Sequence, residues 1–264
     1  MNQQTKTKNL FSKFSPFFVF SIVLAVWQLI AISGLFLPTL LPSPLAVIMA
    51  IIELWQKGVL VRDIAASLFR VFSGFILAAI FAIPFGLLLG WYTELKNAFE
   101  PLIQILRPIS PIAWIPLAIL WFGIGNKPAI FIIFITSFFP ILLASASAVK
   151  NIDPIIIKSA VNFGAEGRDI LIKIVLPASF PYIVVGLRIA LGIAWVIIVA
   201  AEMVGMRSGL GFMILDARNF LRTDMVVAGM IVIGIIGFFL DRIMIYFEKL
   251  IRNKWGYTEI VGEQ

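Results

Sequence analysis

Three charged side chains, Arg107, Arg188 and Glu202, stand in stretches that are otherwise apolar. On insertion scales a charge at membrane depth costs about 2.5–3.5 kcal/mol, so each needs a reason. A guanidinium there can attract an anion or pair with a carboxylate. Arg188, about two to three turns into its apolar run, is open to both readings. Arg107 adjoins a group of prolines and is open to a place on a solute path or to snorkelling at the inner face. Glu202 lies near the far end of the run that holds Arg188, too distant along one helix to pair with it. Arg70 marks an interface end of another run. None of these groups performs covalent chemistry unaided. The chain has no Cys and no His. That removes thiolate and imidazole catalysis, disulfides, haem and iron–sulfur ligation and most zinc sites. It also lacks a Gly-x-x-x-x-Gly-Lys-Ser/Thr phosphate loop. The chemistry left open is binding and passage of a solute, so no cofactor or metal is expected and the chain is not expected to be an enzyme.

The backbone between residues 106 and 128 supports that reading. Pro108, Pro111 and Pro116 each remove an amide donor and disturb a helix. Non-helical backbone at membrane depth is tolerated where it faces protein or a water-filled cavity, and broken helices often mark transport sites. Arg107, Pro108, Pro111, Trp114 and Pro116, with Arg188, Trp195 and Glu202 on the later helix, are therefore the candidate translocation path. A kinked, purely structural helix is the alternative.

The elements that must carry these residues follow from composition. Hydrophobic residues make up 61% of the chain and charged residues 13%, against about 45–50% and 25% in soluble domains. This is an all-α integral membrane protein. Its net charge of +7 reflects Lys and Arg held on the cytoplasmic side and not a nucleic-acid surface. Hydrocarbon about 30 Å thick needs roughly 20 apolar residues per helix. The stretches Pro16–Phe36, Leu68–Trp91, Ala98–Phe122, Pro128–Val149, Ala178–Met203 and Met225–Leu240 predict about six spans. With the end bearing Lys6, Lys8 and Lys13 inside, Lys96, Lys150, Lys158, Arg168, Lys173, Arg242, Lys249, Arg252 and Lys254 also fall inside, which outnumber the outside Lys57, Arg62, Lys127, Arg207, Arg218 and Arg222. Both termini are then cytoplasmic. The organisation expected is a cytoplasmic segment 1–15, a transmembrane domain 16–250 and a cytoplasmic tail 251–264. The Lys-rich start followed by an apolar run and Ala31-Ile32-Ser33 has the form of a cleavable leader. The length and aromatic content of the run favour a retained first helix.

Several connecting segments have form of their own. Ser43-Pro44 reads as a helix start, followed by a surface helix with Ala46, Val47, Ala50, Ile51 and Leu54 on one side. Gly74, Ala78, Ala82, Gly86 and Gly90 recur every four residues, as do Gly186, Ala190 and Ala194. Such stripes let a neighbouring backbone approach, for plain packing or for a sliding motion. In 206–224, Gly209 and Gly211 permit a tight turn before a short outer helix or surface loop that would meet an external partner.

Residues 150–177 carry the strongest local signals. Asp153 is an N-cap, Pro154 takes the first helical position, and Gly164 is a left-handed stop. A second short helix from about Glu166 is expected to end before Pro177. Ile156, Val161 and Phe163 remain apolar on an element outside the membrane, which implies a partner groove or a lie on the lipid headgroups.

This segment resembles the "EAA" loop of ABC-importer permeases: Glu-Ala-Ala, three residues, Gly, nine residues, Ile-x-Leu-Pro. Ala160, Gly164, Ile174, Leu176 and Pro177 fall in register, while Lys158 and Ser159 stand where the pattern has Glu and Ala. LRPISPIAWIPLAILWFGIG (Leu106–Gly125), GLRIALGIAWVIIVAAEM (Gly186–Met203) and SGLGFMILDARNFLRTD (Ser208–Asp224) are similar to the nitrate, sulfonate, taurine and bicarbonate permease group. The Pro-Ile-Ser-Pro-Ile-Ala-Trp-Ile-Pro wording leans to its cyanobacterial nitrate, bicarbonate and cyanate members. The resemblance implies a type I importer permease fold and a homodimer of six-helix subunits in a bacterial plasma membrane. It also implies two cytoplasmic ATP-binding-cassette ATPase subunits and an outer-face solute-binding protein, periplasmic or lipid-anchored. The 150–177 loop would couple to the ATPase through Asp153, Lys158, Ser159, Ala160, Phe163, Gly164, Ile174, Leu176 and Pro177. A passive channel or scaffold needs no such loop, and a membrane enzyme would need His, paired acids or a nucleophile.

Overall fold

The computed structural model describes residues 3–37 and 39–254; of the expected tail, positions 255–264 lie outside the described residues, as do positions 1–2 of the expected N-terminal segment. All regular structure among the described residues is helical. By contact the chain forms two compact units. One holds the chain up to Val61 with Met213–Val232, and the other holds Arg62–Phe212 with the chain from Ile233 on.

In the first unit, α1 (Gln3–Ile32) leads to α2 (Pro44–Gln56). The Ser43 hydroxyl accepts from the Ala46 amide at 3.3 Å and Pro44 fills the first turn, as the Ser-Pro pair predicts. Val47, Ala50 and Leu54 are the buried side of α2. Ile48, Met49, Ile52 and Trp55 are exposed on the other.

The second unit is built on close helix contacts. It takes in most of α3 (Val59–Trp91), then α4 (Thr93–Leu106), and a 3₁₀ turn Pro111–Trp114 running into α5 (Ile115–Phe122). α6 (Asn126–Lys150), α7 (Pro154–Asn162), the single turn α8 (Gly167–Asp169), a π-helical stretch Ile170–Val175 and α9 (Leu176–Met203) follow. The chain continues through α10 (Leu210–Asn219) and α11 (Thr223–Lys254).

The small-residue stripe of α3 is the seam against α6. A methyl group at Gly74 would stand 2.6 Å from the Ile130 carbonyl oxygen, one at Gly86 2.5 Å from that of Leu142, and one at Gly90 2.7 Å from that of Ala146. The contacts climb both helices together in one register, so α3 and α6 run parallel. Ala78 and Ala82 are fully buried in the same line. Gly186 of α9 is equally tight against Ala144 of α6. Interlocked this closely, the stripes serve packing. Gly86→Leu should therefore be felt more than ordinary overpacking at about 1–3 kcal/mol, because the obstacle is backbone. The expected result is loss of monodisperse protein in detergent, whereas Gly192→Leu, at a position with open space around it, should leave it unchanged.

Among the described residues, four unbroken apolar helices, at Val59–Trp91, Asn126–Lys150, Ile170–Met203 and Thr223–Ile251, and one broken pair are long and apolar enough to cross a membrane. Two expectations are corrected here. Ala98–Phe122 is not one helix: Thr93–Leu106 and Pro111–Phe122 are bent by 82° where Pro108 and Pro111 withhold amide donors. The expected first span falls in the later part of α1, which holds the apolar run Phe18–Ile32. The second correction is at Pro177, which does not end a helix. The chain is helical from Gly167 to Met203, and Pro177 falls in the first turn of α9, directly after the π-helical stretch. There the hydrogen-bond ladder is already out of α register, so the missing amide of proline interrupts little.

Candidate functional site

The cytoplasmic element expected at 150–177 is a capped helix on an apolar footing. Asp153 Oδ1 accepts from the Ile155 amide at 2.8 Å. At the other end Gly164 has φ +85°, its amide donates to the Val161 carbonyl at 2.9 Å, and the Ala165 amide donates to the Ala160 carbonyl at 3.0 Å. That paired pattern is a Schellman stop, which needs a residue at ease in the left-handed region. Beneath α7, Ile152, Ile170 and Val175 are buried with Leu87, Val149 and Ile183, and Ile157, Ala165, Ile174 and Leu176 pack against them. Above, Ile155, Ile156 and Val161 are exposed and Phe163 is 92% exposed. Lys158 and Ser159 are also exposed, and Ala160 is half-buried. The helix is thus held firmly from below while presenting a bare aromatic ring.

The broken segment surrounds cavities. Arg107 and Pro111 line one of about 450 Å³ with Thr136 and Pro140 of α6 and Ile189 and Ile193 of α9. Arg107 and Pro108 also line a neighbouring cleft of about 490 Å³ with Lys96, Glu100 and Gln104. Trp114 stands edge-on to Phe131 at 6.5 Å, and Pro116 is exposed.

The later candidates lie elsewhere. Arg188 is paired across α9 and α11, with Nε donating to Asp241 Oδ1 at 2.8 Å and Nη1 reaching Glu248 Oε2 at 3.5 Å. Of its two open readings, the carboxylate pair is the one seen. Trp195 is buried and donates its Nε1–H to the Ile233 carbonyl at 3.0 Å. Glu202 is 0% exposed and faces neither cavity.

Glu202 is the centre of a buried clasp that sequence reasoning missed. Its carboxylate accepts from Arg70 Nη1 at 2.6 Å, from the Ser67 hydroxyl at 2.8 Å and from the Gly211 amide at 3.0 Å. Arg70, itself buried, donates Nε to Asn126 Oδ1 at 2.8 Å, Nη1 to the Ser208 carbonyl at 2.7 Å and Nη2 to the Ser208 hydroxyl at 2.7 Å. Asp63 accepts from the Gly209 amide at 3.1 Å, and the Ser67 hydroxyl accepts from the Leu210 amide at 3.0 Å. The amides of Gly209, Leu210 and Gly211 at the start of α10, which no helical carbonyl can serve, are taken up by side chains of α3 and α9. Gly209, at φ +108°, leaves only 2.3 Å between a would-be methyl group and the Glu202 carboxyl carbon. Asp63, Ser67 and Arg70 recur at i, i+4 and i+7 along α3. That polar line on an apolar helix was the available signal, and Arg70 belongs to it.

Within the first unit, α10 closes with a second Schellman pattern. The Leu221 amide donates to the Arg218 carbonyl at 3.0 Å and the Arg222 amide to the Ala217 carbonyl at 2.9 Å. Here the left-handed position is Leu221, at φ +56°, a conformation that costs an L-residue roughly 1–2 kcal/mol. The Leu221 and Phe220 side chains are exposed. Arg222 holds the turn by donating Nη2 to Asp224 and to Glu53 of α2, each at 2.8 Å. Arg222 first, and Lys57 second, keep the Glu53 carboxyl down at about 2, against an ordinary 4.5. A depressed carboxylate stabilises fully above its ordinary value. The tie is therefore complete above pH 4.5 and is lost only as pH falls towards 2.

Comparison with known proteins places this geometry. The family model for the binding-protein-dependent transport system inner membrane component matches residues 82–253. A Methanocaldococcus jannaschii protein named as an ABC transporter permease is 46% identical over 233 residues, covering 86% of this chain and 87% of that one. The bicarbonate transport system permease protein of Synechococcus elongatus is 37% identical over 243 residues, 87% of this chain and 86% of that one. The taurine transport system permease protein of Escherichia coli is 35% identical over 226 residues, 84% and 82% respectively. Among solved structures, an inward-facing MetNI methionine ABC transporter superposes with a TM-score of 0.67 over 74% of this chain and 97% of that one, at 19% identity. At that identity the likeness concerns the fold alone.

Proposed function

We infer that this chain, which belongs to the family of binding-protein-dependent transport system inner membrane components, is the transmembrane permease subunit of an ABC importer. Family membership and the extent of the relatives carry that conclusion. The finer reading is ours. The solute is a small anion, such as nitrate, bicarbonate, cyanate or an alkanesulfonate, handed over by an extracytoplasmic binding protein. Two copies of this chain form the path, both termini are cytoplasmic, and ATP is hydrolysed in two separate cytoplasmic subunits.

The observation that supports coupling is α7. A capped helix fixed on a buried footing, with Phe163 standing 92% exposed, is built to enter a groove on another protein. Because Ile170 and Val175 of the footing run without a break into α9, a push on α7 is carried into a membrane-spanning helix. Asp153, Ala160, Gly164, Ile174, Leu176 and Pro177 shape and seat the knob, while Lys158, Ser159 and Phe163 face the ATPase. Arg107, Pro108, Pro111, Trp114 and Pro116 edge the path. The buried positions of Trp195 and Glu202 and the paired state of Arg188 give these three residues the task of holding its walls.

The test is reconstitution. The chain, combined in proteoliposomes with an ATPase subunit and a binding protein, should accumulate the bound anion only when ATP is inside the compartment equivalent to the cytoplasm. Uptake that persists without ATP would favour a passive channel.

The strained turn at Leu221 offers a finer check. We assign Phe220 and Leu221 to contact with the binding protein, since both apolar side chains are exposed and a leucine holds the left-handed position that glycine takes more easily. Leu221→Gly should leave stability unchanged or raise it by up to about 1 kcal/mol. It should lower binding-protein-dependent uptake several-fold. Equal uptake in both proteins would remove the assignment.

A further inference from the structure

The cleft beside Arg107 carries more positive charge than its walls balance. Lys96 of α4 lines the cleft, and Lys150 at the end of α6 is a like-charged neighbour of Lys96. Glu100, whose Oε2 lies 3.6 Å from Lys96 Nζ, is the carboxylate at hand, and its other oxygen is 3.4 Å from the Gln104 amide nitrogen. Arg107 lines the same cleft and makes no ion pair among the described residues. Two cations, Lys96 and Arg107, thus meet one carboxylate against walls that include Leu89, Ile103 and Leu143, and Lys150 adds a third positive charge beside Lys96. Apolar walls weaken screening and raise the pull on a counter-ion.

We propose that this cleft, between α4 and the inner end of α6, is a binding site for a small oxyanion on the cytoplasmic side of the permease. The argument rests on the reading of the chain as an importer subunit with α7 in the cytoplasm, because Lys150 lies just before α7. Arg107 also lines the cavity that extends to Thr136 and Ile189, so its guanidinium is shared by the two spaces. An anion leaving the inner cavity meets first the planar fork of Arg107, suited to a planar oxyanion. It then meets the ammonium group of Lys96, a point charge with Lys150 beside it. A free solute anion and the phosphate of a lipid headgroup share this chemistry. The link through Arg107 to the inner cavity favours the free anion.

The experiment uses the purified full-length chain in phosphatidylcholine nanodiscs, titrated with sodium nitrate and with sodium methanesulfonate against chloride at constant ionic strength. The readout is the melting midpoint, which rises with any ligand that binds the folded state alone. The expected result is a saturable rise with one or both oxyanions, and a half-saturating concentration raised about tenfold or more by Lys96→Gln combined with Lys150→Gln. No oxyanion-dependent rise in the wild-type chain overturns the proposal, as does an identical rise in the double variant. A rise produced only by phosphatidylglycerol nanodiscs, without added oxyanion, assigns the cleft to lipid and also overturns it. Uptake by the wild-type chain with its ATPase and binding protein, measured in parallel, keeps the two readings apart. Uptake without oxyanion binding discards the site alone, and absent uptake discards the function.

Discussion

Gly164→Pro is expected to abolish anion uptake while leaving the membrane-spanning helices folded. Proline cannot adopt φ +85°. It also lacks the amide that reaches the Val161 carbonyl. The Schellman stop fails, and α7 loses the end that sets the direction of Phe163. The damage is local, because the footing of Ile152, Ile170 and Val175 does not depend on Gly164. A charge placed on the ring position, Phe163→Glu, tests the same surface without touching the backbone. Truncation of a central interface aromatic commonly costs about 2 kcal/mol or more, and a desolvated charge costs more still. Uptake should therefore fall by roughly 30-fold or more, with ATP hydrolysis either persisting unproductively or lost with the bound subunit. Thermal stability of the isolated chain should change little, since Phe163 is almost wholly exposed. Uptake at the wild-type rate in both variants would take the coupling role away from α7.

Glu202→Gln should be the more damaging change for the fold. Gln keeps an oxygen for Ser67 and Gly211 but removes the charge opposite Arg70, whose side chain is 3% exposed. Breaking a buried pair on one side costs about 3–5 kcal/mol, because it strands an uncompensated charge. A typical protein is stable by only about 5–15 kcal/mol. The variant should express poorly, or melt at a clearly lower temperature in detergent. Arg70→Met combined with Glu202→Gln should recover part of the loss, because neither charge is then left alone. Glu202→Gln with unchanged stability, or a double variant worse than the sum of its parts, would contradict this account of the clasp.

The two sites differ sharply in how they could be read from sequence. α7 was legible because everything that shapes it is local. Asp153, Pro154 and Gly164 set its ends through hydrogen bonds spanning two to five residues, and residue type at such spacing is informative by itself. The stripe of Gly74 to Gly90 was legible for the same reason, although its register against α6 was not. The clasp was hidden because its parts are far apart along the chain: Arg70 and Glu202 are 132 residues distant, and each alone is merely a charge near a helix end. Pro111 announced a break, yet the 82° turn depends on how α5 packs afterwards. Pro177 misled because the usual rule for proline assumes an α-helical ladder before it, and here a π-helical stretch stands in that place.

The central claim, that α7 is the point through which ATP hydrolysis moves this membrane subunit, can be put to one cross-linking measurement. The natural chain has no cysteine, so Phe163→Cys supplies a single thiol at the tip of the knob. In inner membranes that hold the assembled importer, a short thiol-to-amine cross-linker should join that thiol to the ATPase subunit, and the yield should change when ATP is bound. A thiol at this position that joins no ATPase subunit, in membranes that still take up the anion at the full rate, would contradict the account.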